Sequence, residues 1–314
     1  MKLTTQHPAW PLLRQTPGSG GRWGRYHFVV NEPVERCDFW VVCDGLLTVE
    51  ETDCPPTGTV LVTWEPPVGV RRPYDQTFVD QFAAVLTCHR SLRHADARFG
   101  QQGHPWFVGR SLDQLDEAPT PPKSQQLVII TSDKAFSPAH RARLEFALAL
   151  KDHFGADARL VGRGIEDFDD KWDVLAPARY AVAVENGVFD DWVTEKLPDC
   201  FLAGAFPLYH GAPNVSRYFP DASYEPVDVL DPVGACRVIE RLLTDESHYE
   251  RSLPHLVAAK NHYLQRLQLF PMLVQLLDGL AAKPDARGTR KVRLRPERTP
   301  SARLRGVAQR VLRR

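Results

Sequence analysis

Apolar positions fall into two textures along the chain. Up to about residue 122, short apolar runs are cut by proline and glycine. The stretches 26–30, 39–43, 59–64 and 82–87 carry the β-branched and aromatic content of strands. Ala118-Pro119-Thr120-Pro121-Pro122-Lys123-Ser124 can continue neither regular element, and it marks the expected domain boundary. Beyond it, strand and helix patterns alternate. Leu127-Val128-Ile129-Ile130 is a continuous apolar run of the kind buried on both faces. Ser137-Pro138 reads as N-cap and first residue of a helix reaching about His153, with Leu144, Ala147 and Leu148 on one face. Stretches 159–162, 180–184 and 206–209 read as further strands. A helix opening at Asp191 or Thr194 stops at Gly204, and Leu- and Val-rich helices fill 232–280. This rhythm predicts an α/β fold with a parallel sheet covered on both faces, which binds ligands where strand ends enter loops.

Composition adds a domain count and a charge map. A length of 314 residues suits two domains of about 150 each, here 1–122 and 123–282, followed by a tail over 283–314. The 39 Lys and Arg balance 39 Asp and Glu, but unevenly. Residues 283–314 hold 12 cations against 2 acids, so the remainder holds 27 against 37. Such asymmetry points to an interacting tail. Placed on a helix, Leu304, Val307, Ala308, Val311 and Leu312 share one face and arginines take the rest, the pattern of an anchor lying on anionic lipid. A solvated, disordered tail is the plainer alternative. No aromatic residues interleave with the basic ones, which argues against nucleic acid.

Cys37, Cys43, Cys54, Cys88, Cys200 and Cys236 are scattered without a C-x-x-C pair and read as buried, reduced thiols. No window approaches the roughly 18 apolar residues of a spanning helix, and the N-terminus has no apolar leader. The expected location is cytoplasmic, free or peripheral on the inner face of a membrane.

The residues with chemical content follow the strand at 180–184: Glu185-Asn186-Gly187-Val188-Phe189-Asp190-Asp191-Trp192-Val193-Thr194-Glu195-Lys196-Leu197. A helix N-terminus presents unpaired N–H groups to an anion. Lys196 adds a point charge suited to phosphate, and Glu195 can accept hydrogen bonds from paired hydroxyls. Taken alone, Thr194-Glu195-Lys196 reads as a charged helix start. His210, at a strand end beside Gly211, is the one histidine placed to meet a ligand. Asp167-Phe168-Asp169 is a D-x-D triplet, but it closes no long apolar strand and reads as a solvated loop rather than a metal site. Gly18-Ser19-Gly20-Gly21 with Gly24 lacks the third glycine of a dinucleotide fingerprint and reads as a flexible loop.

The full string resembles the signature of the α-1,3/1,4-fucosyltransferases, glycosyltransferase family 10, approximately F-E-N-S-x-x-x-D-Y-V-T-E-K-L…A-G-x-x-P-x-x-x-G. Here it stands as Val184-Glu185-Asn186-Gly187, Asp191-Trp192-Val193-Thr194-Glu195-Lys196-Leu197, Ala203-Gly204, Pro207 and Gly211. Thr131-Ser132-Asp133 followed by Arg143-Leu144-Glu145-Phe146-Ala147-Leu148 is similar to the family's arginine helix. Leu160-Val161-Gly162-Arg163-Gly164 resembles the strand after it, and Trp64-Glu65-Pro66-Pro67 its E-S-P turn. The likeness is strong over 127–230, weaker over 37–110 and absent from 283 on.

The resemblance implies a GT-B architecture, two Rossmann-like domains facing a central cleft, with an acceptor-side domain over 1–122 and a nucleotide-sugar domain over 123–282. It implies GDP-fucose as donor and a glycan hydroxyl as acceptor, in glycan biosynthesis or protein glycosylation, such as a bacterial-type surface glycan precursor. Arg143, or Arg141 two residues earlier, would bind the diphosphate with Lys196. Glu195 would hold the ribose, and Glu185, Asn186, Trp192 and Thr194 would shape the donor pocket. Glu65 would be the catalytic base of an inverting transfer, against the plainer reading of an exposed turn residue. No metal is obligatory, a divalent cation being at most stimulatory. Gly187 for serine, Trp192 for tyrosine and Pro66 for serine depart from the family pattern. They leave open another GDP-sugar donor, or a non-catalytic glycan- or nucleotide-binding relative.

Overall fold

The computed structural model describes residues 1–66, 74–135, 137–281 and 288–297. The chain forms two compact units, one of Met1–Gln102 with the chain from Leu269 onward, the other of Gly103–Gln268.

The first unit is built on β1 (Lys2–Thr5), β2 (Val29–Val30), β3 (Trp40–Cys43), β4 (Thr59–Val62), β5 (Ala84–Thr87) and β6 (Ala97–Phe99). They form one sheet in the order β2-β1-β3-β4-β5-β6, every pair parallel. Every residue of β3, β4 and β5 is buried, as parallel strands covered on both faces require. The strand reversal falls between β1 and β3, the place where such sheets offer a crevice.

The second unit follows the expected alternation: β7 (Gln125–Ile130), α1 (Pro138–Phe154), β8 (Ala158–Val161), α2 (Lys171–Leu175), β9 (Ala178–Val184), α3 (Lys196–Leu202), β10 (Phe206–His210), β11 (Glu225–Pro226), α4 (Pro232–Thr244) and α5 (His248–His262). The sheet order is β8-β7-β9-β10-β11, all parallel, with its switch point between β7 and β9. Ser137 caps α1 by accepting from the His140 N–H. Gly162, at φ +136°, ends β8 so close to β7 that an added Cβ would lie 1.6 Å from the Thr131 carbonyl oxygen. Only glycine allows that approach.

Three expectations need correction. First, the helix expected from Asp191 or Thr194 begins at Lys196. Asp191 sits at φ +64°, its N–H donating to Asn214 Oδ1 at 2.8 Å, and the Thr194 N–H donates to Glu185 Oε1 at 2.8 Å. Both residues are committed to a loop. Second, α6 (Leu269–Ala281) does not complete the second unit. Its Leu269, Phe270, Leu273 and Leu277 join Leu3, Phe28, Val41 and Val60 in the core of the first. The units divide after Gln102 rather than at Pro122. Third, the expected tail is in part a strand of the first unit: Arg290–Leu294 pairs antiparallel with Glu50–Cys54, and Leu294 is buried. Residues 304–312 lie outside the described residues. All six cysteines are buried and unbonded to one another, and no described helix is long and apolar enough to cross a membrane.

Candidate active site

Where β7, β8 and β9 end, the second unit holds a cavity of about 350 Å³. Lys134, Arg143, Arg163, Lys171 and Lys196 line it, with Glu195 as the carboxylate among them. Arg143, on the inner face of α1, is 8% exposed. Its guanidinium donates to Asn186 Oδ1 and to Ser132 Oγ at 3.1 Å. Both acceptors are neutral, and the buried Nε has no partner among the described residues. Burial lowers the pKa of this group. An anion in the cavity would relieve that desolvation.

Two of the other cations, Lys171 and Lys196, are held by carboxylates. Lys196 Nζ donates to Glu185 Oε2 at 3.0 Å and Thr194 Oγ1 at 2.9 Å, with Glu195 Oε1 at 3.7 Å. Burial works against its charge, but Glu185 and Glu195 outweigh it and raise its pKa. Glu185 is itself buried, also accepting from the Thr194 hydroxyl at 2.6 Å. Lys171 bridges Asp199, at 2.8 Å, and Glu195, at 3.8 Å. Burial opposes ionisation of Glu195, yet Lys196 and Lys171 hold its pKa down at about 2. It therefore stays an acceptor at any physiological pH. Two lysines are thus matched by Glu185, Glu195 and Asp199, while Arg143 faces the cavity with neutral partners only.

Among the expected site residues, Arg143, Glu195 and Lys196 reach the cavity. Glu185, Asn186 and Thr194 stand behind them and hold their side chains. Arg141 is exposed, its guanidinium on the Ala135 carbonyl at 3.2 Å, and it does not line the cavity as Arg143 does. Trp192 is buried against Phe189, ring centroids 6.0 Å apart. His210 is turned to the sheet edge: Nδ1 lies 3.0 Å from the Val227 carbonyl and accepts from Val229 N–H at 3.4 Å. Asp167 accepts from the Gly164 N–H at 3.3 Å in an exposed turn. No group of three His, Cys, Asp or Glu placed to hold a metal occurs among the described residues. Lys171 escaped the sequence reading. It follows a run of acids, and its partner Asp199 lies 28 residues on.

The first unit carries its own polar cluster at the ends of β3 and β4. Glu65 is exposed, three residues beyond Val62 at the end of β4 and one beyond Trp64. Behind it lies Asp44, 4% exposed. Burial would raise this carboxyl's pKa, but hydrogen bonds from His7, Tyr74 and Gln6 prevail and hold it below the ordinary value. It remains an ionised anchor rather than a proton acceptor. His7 stacks on Trp10 at 4.0 Å between centroids.

Two parallel, doubly wound sheets, each with polar side chains gathered at its switch point, define the GT-B class of glycosyltransferase fold. Residues 120–254 match the model of glycosyltransferase family 10 (fucosyltransferase), C-terminal part. The fold is similar to crystal structures of an alpha1,3-fucosyltransferase, alone and with GDP. Their TM-scores are 0.51 and 0.52 at 15% and 16% identity, over 90% and 91% of this chain and 91% of theirs. Among curated proteins, GDP-fucose protein O-fucosyltransferase 3 of Danio rerio is 42% identical over 55 residues, 18% of this chain and 12% of that protein. The Homo sapiens protein of the same name is 29% identical over 86 residues, 27% of this chain and 18% of its own length. The matched part thus spans less than a fifth of these relatives.

Proposed function

We propose that the protein is an inverting fucosyltransferase using GDP-fucose. The observation that carries this reading is Arg143: a buried guanidinium at a cavity mouth, with neutral partners and an orphaned Nε, suits the planar oxygens of a diphosphate. Lys196 adds a second cation. Glu195, kept ionised, suits a pair of ribose hydroxyls. In a single displacement the bond from the sugar's anomeric carbon to the β-phosphate oxygen breaks and its electron pair leaves with GDP. An acceptor oxygen forms the new bond on the opposite face, and Glu65 takes its proton. Arg143 and Lys196 stabilise the charge that develops on the leaving diphosphate.

The acceptor is a glycan hydroxyl. A protein hydroxyl is the second reading, supported by the name of the curated relatives. A different GDP-sugar is favoured by one local feature. A Cβ at Gly187 would lie 2.5 Å from the Phe189 ring, so that ring occupies the space of the family's serine side chain. Calorimetry with GDP-fucose, GDP-mannose and a UDP-sugar separates these readings. GDP-fucose is expected to bind, GDP-mannose more weakly and the UDP-sugar not at all; indifference to every GDP compound overturns the assignment.

The site works at the inner, cytoplasmic face of a membrane, held there by the basic tail. Because Arg290–Leu294 is a strand of the first unit, this role falls to residues 298–314. A chain truncated after Glu297 is expected to lose sedimentation with anionic vesicles that the full chain shows; a full chain that does not sediment refutes the anchor.

A further inference from the structure

Asp44 does not line the cavity of the second unit, and no motif singles it out, yet Gln6, His7, Trp64, Glu65 and Tyr74 all converge on its carboxylate. It follows β3 at the switch point of the first sheet, with backbone φ +70°, a region side chains rarely adopt. Its N–H donates to the Val62 carbonyl at 2.7 Å, which ties it to the end of β4. Oδ1 accepts from the Tyr74 hydroxyl, from the Trp64 N–H at 3.3 Å and from the Glu65 N–H at 3.2 Å. Oδ2 accepts from Gln6 Nε2 and lies 3.3 Å from His7 Nε2. The Tyr74 hydroxyl shares the same two backbone donors, each at 3.0 Å, and Tyr74 also sits at a positive φ, +66°. On the other edge, the Glu65 carbonyl accepts from His89 Nε2 at 2.8 Å. The backbone on both sides of the Glu65 Cα is therefore clamped, while its side chain stays exposed.

Stability alone is a poor account of this arrangement. A buried ion costs more to desolvate than an apolar side chain of the same size, and its neighbours rarely return the difference. Two non-glycine residues at positive φ add strain, and strain of this kind gathers where geometry serves a site. We propose that Asp44 is a positioning residue for Glu65. It fixes the strand end from which Glu65 projects, directly and through Tyr74, so that the carboxylate meets the acceptor hydroxyl in register. The inference rests on the reading of Glu65 as the base.

A double-mutant cycle tests it, read as GDP release from GDP-fucose with water as acceptor, and GDP affinity measured alongside. Asp44→Asn keeps the shape of the side chain and loses the charge. It is expected to lower kcat by about 30- to 100-fold, the scale of an ångström-size misplacement, with GDP affinity within about twofold of wild type. In a Glu65→Gln background the same substitution is expected to change nothing further, because no base is left to position. A loss that multiplies with that of Glu65→Gln marks a structural role only and overturns the inference, as does unchanged kcat in Asp44→Asn. Should Asp44→Asn fail to fold, Tyr74→Phe removes one of the two acceptors of the Trp64 and Glu65 N–H groups. It is expected to cost about tenfold in kcat, again only when Glu65 is present, and full turnover in Tyr74→Phe is then the overturning result. If Glu65→Gln itself keeps wild-type turnover, it is the base assignment that fails, and the cycle reports that separately.

Discussion

Arg143→Ala abolishes tight GDP binding and lowers kcat/KM for GDP-fucose by about 10²- to 10³-fold, the range found when one preorganised donor is taken from a developing oxyanion. The expectation follows from what surrounds the guanidinium. Asn186 and Ser132 orient it without neutralising it, and Nε has no partner within the described residues. The positive charge is thus held ready at the cavity rather than spent in an ion pair. Arg143→Lys is expected to recover little: an ammonium cannot reach Asn186, Ser132 and two phosphate oxygens at once. The fold should tolerate Arg143→Ala, since removing a desolvated charge offsets the packing lost. Calorimetric titration with GDP, with a melting curve as control, is the check. GDP affinity within about twofold of wild type in Arg143→Ala would remove Arg143 from the donor site.

The parts of the structure that could be read from sequence share a physical property: their signal is local. β7, β9 and β10 contain the apolar runs 127–130, 180–184 and 206–209, and Ser137-Pro138 announces α1 through its cap. The string from Glu185 to Lys196 is contiguous, so its charged residues were found together. What escaped depends on partners distant in sequence. β1 reads as polar because it opens Lys2-Leu3-Thr4-Thr5, yet Lys2 is buried, pairing with Glu50 at 2.7 Å and lying 4.4 Å from the centre of the Trp40 ring. α6 shows that it has an apolar face, but amphipathicity says nothing of which sheet that face covers. Nothing local in the sequence marks Lys171 or Asp44. Only the fold brings Asp199 to the first, and the Trp64 and Glu65 amides to the second. The Asp191 loop was misread for the same reason, its helix-like start being overruled by Asn214 and, next to it, by the hold of Glu185 on Thr194.

Glu65→Gln is expected to leave GDP affinity unchanged and to reduce kcat for GDP release from GDP-fucose by about 10²- to 10⁴-fold, the contribution of a positioned general base. The proposed donor contacts come from Arg143, Glu195 and Lys196 of the second unit, whereas Glu65 belongs to the first. Loss of the base should therefore appear in kcat and not in donor binding. Glutamine preserves the length and the hydrogen-bonding of the side chain while removing its ability to take a proton, and the backbone clamp by Asp44, Tyr74 and His89 remains intact. Glu65→Asp separates proton transfer from placement: it keeps the carboxylate but withdraws it by one methylene, and an intermediate loss is expected. The order wild type, Glu65→Asp, Glu65→Gln in kcat, at constant GDP affinity, identifies the base. Equal turnover in all three would assign the proton to another carboxylate, and with Asp44 held ionised and enclosed by donors, that carboxylate would have to lie elsewhere.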